Sequence, residues 1–257
     1  HRDLHSFPTR RSSDLRRANG QVVSSGKFET KIVPTGGLTL LGEIDVPLNP
    51  FSTAQKLNLE VVLGDETPSN EWDFWVYPAS VPAVEASAVR IAEVLDDPTV
   101  EFLKQGGRVL LTPPAYRLKA RTLGTFRPIF WNRITFASQP EHTLGILCNP
   151  AHPALADFPT DFYSNWQWQD LLDHSKPVIL DELDSSIVPI VRSIDDWNLC
   201  RSLAVLFEVN IGKGKLLLCS MDISSDLDKR PVARQLRYSL LRYMESDAFK
   251  PAASVSV

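Results

Sequence analysis

The chain has few cysteines, no excess of basic residues and no long apolar run, and each shortage excludes a class of protein. Its three cysteines in 257 residues are too few for a disulfide scaffold. The 27 basic and 31 acidic residues give a net charge of −4, unlike the basic footprint of a nucleic-acid-binding protein. No stretch approaches the roughly 20 consecutive apolar residues that a membrane-spanning helix needs. We therefore expect a globular chain with neither a nucleic-acid nor a membrane partner.

Metal-binding patterns are also lacking. The cysteines have no paired close spacing, and the histidines lack the i, i+4 pairing of a metalloprotease helix. The aspartate clusters do not have the spacing of a twelve-residue calcium loop. We expect no metal and no cofactor.

The first fifteen residues show neither helical nor strand periodicity. Residues 5–15, HSFPTRRSSDL, resemble the translation of one reading frame of a short-read sequencing adapter. We interpret residues 1–17 as adapter-derived or disordered, outside the fold. We therefore expect that natural sequence upstream of the junction, with any targeting signal, is missing.

Residues 18–78 alternate short apolar runs with turn residues. Leu57, Leu59 and Val61 alternate with polar neighbours, as in a strand with one buried face. Turn residues punctuate the segment at Gly36-Gly37 and again over residues 64–70. The pattern predicts the C-terminal strands of an antiparallel, immunoglobulin-like β-sandwich, of which the earlier strands are missing.

A different pattern follows a small, proline-bearing linker at residues 79–87. Residues 97–105 predict a helix that a double glycine ends, and the apolar strand RVLLTPP comes next. Further apolar strands follow, two of them joined as a hairpin through Gly212 and Gly214, and residues 231–244 predict a final helix with Asp228 as its cap. We expect a flavodoxin-like or amidotransferase-like α/β domain over residues 88–247 and a disordered tail over residues 248–257.

Cys148 ends a buried strand and His152 follows shortly after it, so the pair is a candidate for nucleophilic catalysis. A nucleophile elbow requires small neighbours, however, and Cys148 lies between Leu147 and Asn149. The bulky neighbours favour a small buried side chain over a reactive thiolate.

Aromatic residues are unusually clustered around residues 72–77, 126–136 and 158–168, which include Phe130 and Trp131. Exposed aromatic rings stack on sugar faces or anchor protein interfaces. The candidates for sugar binding or interface formation are Trp75, Trp166, Trp168 and Trp197.

Several segments together resemble the C-terminal region of bacterial glycoside hydrolases of family 2, of the β-galactosidase-like kind. They include KFETKIVPTGGLTLLGEIDVPL, NEWDFWVYP, HTLGILCNPAHPALADFPTDFYSNWQWQDLL and IGKGKLLLCSMDI. The resemblance implies an accessory domain like class I glutamine amidotransferases, a catalytic barrel upstream in the same polypeptide, and a periplasmic or secreted parent. None of the matching segments is a catalytic motif, so no catalytic residue is carried over.

The leading hypothesis is a non-catalytic C-terminal portion of such a hydrolase, which supports or assembles its barrel, with carbohydrate and a second copy of the chain as further candidate partners. One alternative is a carbohydrate-binding module that uses exposed tryptophans. The other is a thiol hydrolase of the amidotransferase type that uses Cys148 and His152.

Overall fold

The computed structural model describes residues 11–29, 31, 36–63, 69–85, 88–126 and 135–256. The chain divides into two compact units, His1–Pro78 and Ala79–Val257. Residues 64–68 of the turn predicted over residues 64–70 lie outside the described residues, as do the aromatic residues Phe130 and Trp131.

The first unit contains a four-stranded antiparallel sheet with the spatial order β2-β1-β3-β4. Its core is a small cluster in which Leu57 is fully buried beside Leu15, Phe51 and Val76. The strands are β1 (Arg11–Arg17), β2 (Val22–Phe28), β3 (Gln55–Leu63) and β4 (Ser69–Val76).

Two features of this unit differ from expectation. Residues 11–17 form β1, which pairs with β2 on one side and β3 on the other, although residues 1–17 were expected outside the fold. Backbone hydrogen bonds to both neighbours hold such a strand, and these bonds do not require an alternating apolar pattern in the sequence.

The predicted β-sandwich is also wrong for the described residues, because they form a single sheet and no second layer.

The second unit is built on a mixed sheet with the order β5-β6-β11-β10-β9-β7, and β8 pairs with β10. β5, β6 and β11 are parallel, whereas the pairs from β11 to β7 are antiparallel. The strands are β5 (Val89–Ala92), β6 (Arg108–Leu111), β7 (Gly145–Cys148), β8 (Val178–Ile179), β9 (Val191–Ile194), β10 (Leu203–Ile211) and β11 (Gly214–Cys219).

Three α-helices lie among the described residues. α1 (Asp97–Lys104) begins at Asp96, whose carboxylate accepts a hydrogen bond from the Thr99 amide, and this confirms the helix predicted there. α2 (Gln169–Asp173) is a five-residue helix that follows a 3₁₀ turn. α3 (Pro231–Glu245) confirms the predicted final helix, but its N-cap is Arg230, which supplies no side-chain cap, and not Asp228.

The predicted flavodoxin-like or amidotransferase-like α/β architecture is wrong. That architecture needs a helical crossover between successive parallel strands. Among the described residues only 17% are helix and 30% are strand, and four of the six strand pairings in the larger sheet are antiparallel. The long connection after β7 contains only two 3₁₀ turns and α2. Strand periodicity predicted the strands, but it carries no information about their pairing direction.

The C-terminal residues pack onto the second unit, although residues 248–257 were expected to be disordered. The Phe249 side chain is fully buried, and Ala253 is nearly so. The Asn210 amide donates to the Ala253 carbonyl at 2.8 Å, and the Val255 amide donates to the Asn210 carbonyl at 2.9 Å. Burial of the Phe249 side chain accounts for the packing of this short segment.

Candidate functional site

A cleft of about 420 Å³ lies where the three parallel strands of the second unit end. Residues that directly follow β5, β6 and β11 line it, together with residues 173–175 at the end of α2. In open sheets ligands bind outside the carboxyl ends of parallel strands, because the connecting loops diverge there. We call this feature the strand-end cleft. Its polar lining residues are Glu93, Thr112, Asp173, His174, Ser175, Ser220, Asp222, Ser224 and Ser225.

Asp222 organises the loop after β11. One of its carboxylate oxygens accepts hydrogen bonds from the backbone amides of Ser224 at 2.9 Å and Ser225 at 3.0 Å. Burial opposes ionisation of this carboxyl, but these hydrogen bonds and the Arg230 charge outweigh it and lower the pKa of Asp222. The carboxylate therefore stays ionised at the edge of the cleft.

Arg230, at the start of α3, fastens that loop to α2. Its guanidinium contacts the Asp222 carboxylate at 3.1 Å and donates to the Asp222 carbonyl at 2.8 Å. The same guanidinium donates to both carboxylate oxygens of Asp170 in α2 at 3.0 Å. A planar guanidinium shared between two carboxylates fixes two elements at once, so the cleft wall is held in one geometry.

A second cavity of about 490 Å³, which we call the adjoining groove, shares Leu123 and Asp173 with the strand-end cleft. Gly124 lies beside these residues, and its amide donates to the Ser175 carbonyl at 3.1 Å. A Cβ at Gly124 would lie 1.9 Å from the Ser175 hydroxyl and 2.5 Å from the Leu172 carbonyl oxygen. Only glycine allows the chain to pass this close to the end of α2.

Asp173 also leads to an exposed aromatic pair. Its carboxylate accepts a hydrogen bond from the Phe126 amide at 3.4 Å. The Phe126 ring lies 5.5 Å from the Trp166 ring, centroid to centroid. Trp166 is 66% exposed at the start of a 3₁₀ turn, where the Asn165 side chain accepts a hydrogen bond from its amide. Phe126 therefore connects the exposed indole of Trp166 to the carboxylate of Asp173, which lines both cavities.

The four tryptophans predicted as binding or interface residues have different environments. Trp166 is exposed, and so is Trp197, at 56%. Trp168 is fully buried, with its indole N–H donating to the Thr160 hydroxyl at 2.8 Å, so it belongs to the core. Trp75 lies half-buried in β4 of the first unit, with the Lys56 ammonium 5.5 Å from its ring centroid.

Cys148 and His152 have separate structural partners. The Cys148 thiol donates to the Asp161 carbonyl at 3.2 Å, and burial, followed by the Asp161 charge, raises its pKa to about 12. The His152 Nδ1 accepts the Ala154 amide at 3.2 Å, and its ring packs 5.5 Å from the Tyr243 ring. Burial lowers the pKa of the imidazole. This geometry suits a packed thiol and a turn cap rather than an activated nucleophile.

In the sequence, Asp222 belongs to the aspartate clusters set aside as metal sites, and neither Glu93 nor Asp173 stands out as a site residue. Glu93 directly follows β5, and Asp222 comes three residues after the end of β11, so position after a strand was the available signal. Nothing in the sequence marked Asp173 as a cleft residue, because it lines the cleft only where the end of α2 lies beside the ends of β6 and β11.

The described residues offer neither a metal-binding cluster nor a membrane-spanning helix. They contain no group of three or more histidine, cysteine, aspartate or glutamate residues that could hold a metal ion. Among the same residues, no helix has both the length and the apolar character to cross a membrane.

The fold and the cleft define a mixed-sheet domain with a ligand-sized cavity at its parallel strand ends. The chain belongs to the family described as Domain of unknown function (DUF8487), whose model matches residues 90–257. A second family model, Domain of unknown function (DUF8488), matches residues 8–78. No curated protein matches the chain.

Proposed function

We propose that the chain is a non-catalytic portion of a glycoside-hydrolase-like polypeptide and that its second unit binds carbohydrate at Trp166. The observation that carries the proposal is the exposed Trp166 ring, packed on Phe126 beside the Asp173 carboxylate. The resemblance to family 2 hydrolases supports carbohydrate as the ligand class and a barrel of the same polypeptide as the partner.

The chemistry of sugars matches this arrangement. A pyranose presents an apolar C–H face, which stacks on an indole, and a rim of hydroxyl groups, which donate to carboxylates. Phe126 buttresses one side of Trp166, so the indole loses little conformational freedom when a sugar stacks on it. Asp173 supplies the acceptor next to that platform.

The carboxyl group of Glu208 is not placed to act as the acid of a glycosidase. A glycosidase acid needs a raised pKa within reach of a second carboxylate in the sugar site. Burial raises the pKa of Glu208. It lines neither cavity, and its carboxylate accepts the Tyr243 hydroxyl at 2.7 Å inside the fold.

Binding is tested by titrating the full chain with neutral tetrasaccharides of the galactose, mannose and glucose series, using isothermal titration calorimetry. We expect binding to at least one series, and roughly tenfold or greater loss of affinity in Trp166→Ala, since a stacked aromatic ring supplies a large share of the contact. Trp197→Ala is the matched control, because it removes a similarly exposed indole of the same unit. Equal losses in the two variants, or no binding in any series, would refute the proposal.

The non-catalytic part is tested separately with an aryl β-galactoside. We expect no turnover above buffer by the full chain. Turnover that a substitution at Glu93, Asp173 or Asp222 abolishes would show that the cleft is an active site.

A further inference from the structure

We propose that the strand-end cleft and the adjoining groove form one continuous site, that this site takes an oligosaccharide without acidic groups, and that Trp166 forms its outer end. The inference rests on the proposed function and extends it to the length and charge of the ligand. Leu123 and Asp173 line both cavities, so a ligand in one is in reach of the other. Each volume falls within the roughly 300–1,000 Å³ of small-molecule sites.

The polar groups of the cleft suit a hydroxylated ligand. Glu93 and Asp222 are at the ends of different strands, so they approach a ligand from two sides. The Ser220 hydroxyl is buried at the base of the same loop and has no hydrogen-bond partner among the described residues. A buried hydroxyl without a partner is costly, and a ligand hydroxyl near it would recover that cost after a small rotation.

The charge of the lining argues against acidic sugars. The described residues that line the two cavities include Glu93, Asp173 and Asp222 but no lysine or arginine. The guanidinium of Arg230, which contacts Asp222, already forms ion pairs with Asp170 and Asp222. A uronate carboxylate would therefore meet these like charges without a lysine or arginine to compensate them, whereas a hydroxyl group would donate to them.

The experiment compares neutral and C6-oxidised tetrasaccharides of the galactose, mannose and glucose series on the full chain. The members of each pair differ only in the C6 carboxylate. We expect that the series that binds does so at least roughly tenfold more tightly in its neutral form at low ionic strength, and that added salt narrows the difference. An oxidised form that binds as tightly as the neutral one would overturn the inference and leave the proposed function intact. No binding by either form would refute both.

Single substitutions test which side chains produce the preference for the neutral tetrasaccharide. We expect Asp173→Asn and Glu93→Gln to reduce the preference for the neutral form, because each removes one repelling charge, whereas Trp166→Ala weakens both forms equally. Asp247→Asn, at an exposed position beyond α3, is the control for net charge. We also expect Glu93→Gln to lower the affinity for the neutral tetrasaccharide more than for the disaccharide, since Glu93 lies in the cleft. An equal change in affinity for both lengths would contradict one continuous site that only the longer ligand fills.

Discussion

Replacing Trp168 with alanine tests the packing of the second unit most directly. The side chain is fully buried, its ring meets Phe158 edge to face at 5.4 Å, and its N–H is hydrogen-bonded to Thr160. Truncating a buried tryptophan removes its transfer free energy and leaves a cavity, together about 3–5 kcal/mol. Trp168→Phe keeps most of the ring and loses the hydrogen bond, so we expect a cost of about 1 kcal/mol.

Trp166, two residues earlier in the same turn, is the matched comparison. Its ring is 66% exposed, so Trp166→Ala should change the free energy of unfolding by no more than about 0.5 kcal/mol. Urea denaturation of the full chain gives the stability. Hydrogen exchange, read by mass spectrometry on peptides from β10 and β11, assigns the loss to the second unit. Similar losses in the two alanine variants would refute the assignment of one tryptophan to the core and the other to the surface.

Four further predictions follow from single side chains. Cys200 is exposed and should react quickly with a disulfide reagent at neutral pH. Cys148 should stay unreactive until the chain unfolds, because burial raises its pKa to about 12. Rapid modification of Cys148 in the Cys200→Ser variant would contradict the structure. The pKa of Asp222 is lowered on folding, so its stabilising contribution is present above about pH 4 and is lost as the pH falls through the folded-state pKa. Urea titrations at falling pH should therefore show a smaller acid-dependent loss in Asp222→Asn than in the parent chain. Leu15→Ala should destabilise the first unit by about 2–5 kcal/mol, and a neutral effect would place β1 outside the fold. Gly124→Ala should cost about 1–3 kcal/mol, measured by urea denaturation, because its Cβ would lie 2.5 Å from a carbonyl oxygen; an unchanged midpoint would contradict this close approach.

The candidate site was only partly accessible from the sequence. Trp166 was identifiable as an aromatic candidate, but nothing in the sequence separated it from Trp168, since both lie in the same short aromatic segment. Their difference arises because the 3₁₀ turn directs one ring into the core and leaves the other in solvent. Cys148 had the position of a nucleophile after a strand, and only its carbonyl partner and burial identify it as a packed thiol.

The sequence by itself determined the local elements. Apolar periodicity and flanking proline and glycine residues predicted α1, α3 and the β10–β11 hairpin, because these features depend on neighbours close in the chain. The tertiary structure alone decided the pairing of strands, the inclusion of β1 and the packing of Phe249. It also brought Glu93, Asp173 and Asp222 to one cleft. Those outcomes depend on contacts between residues distant in sequence, and a strand carries the same alternating pattern whichever neighbour it pairs with.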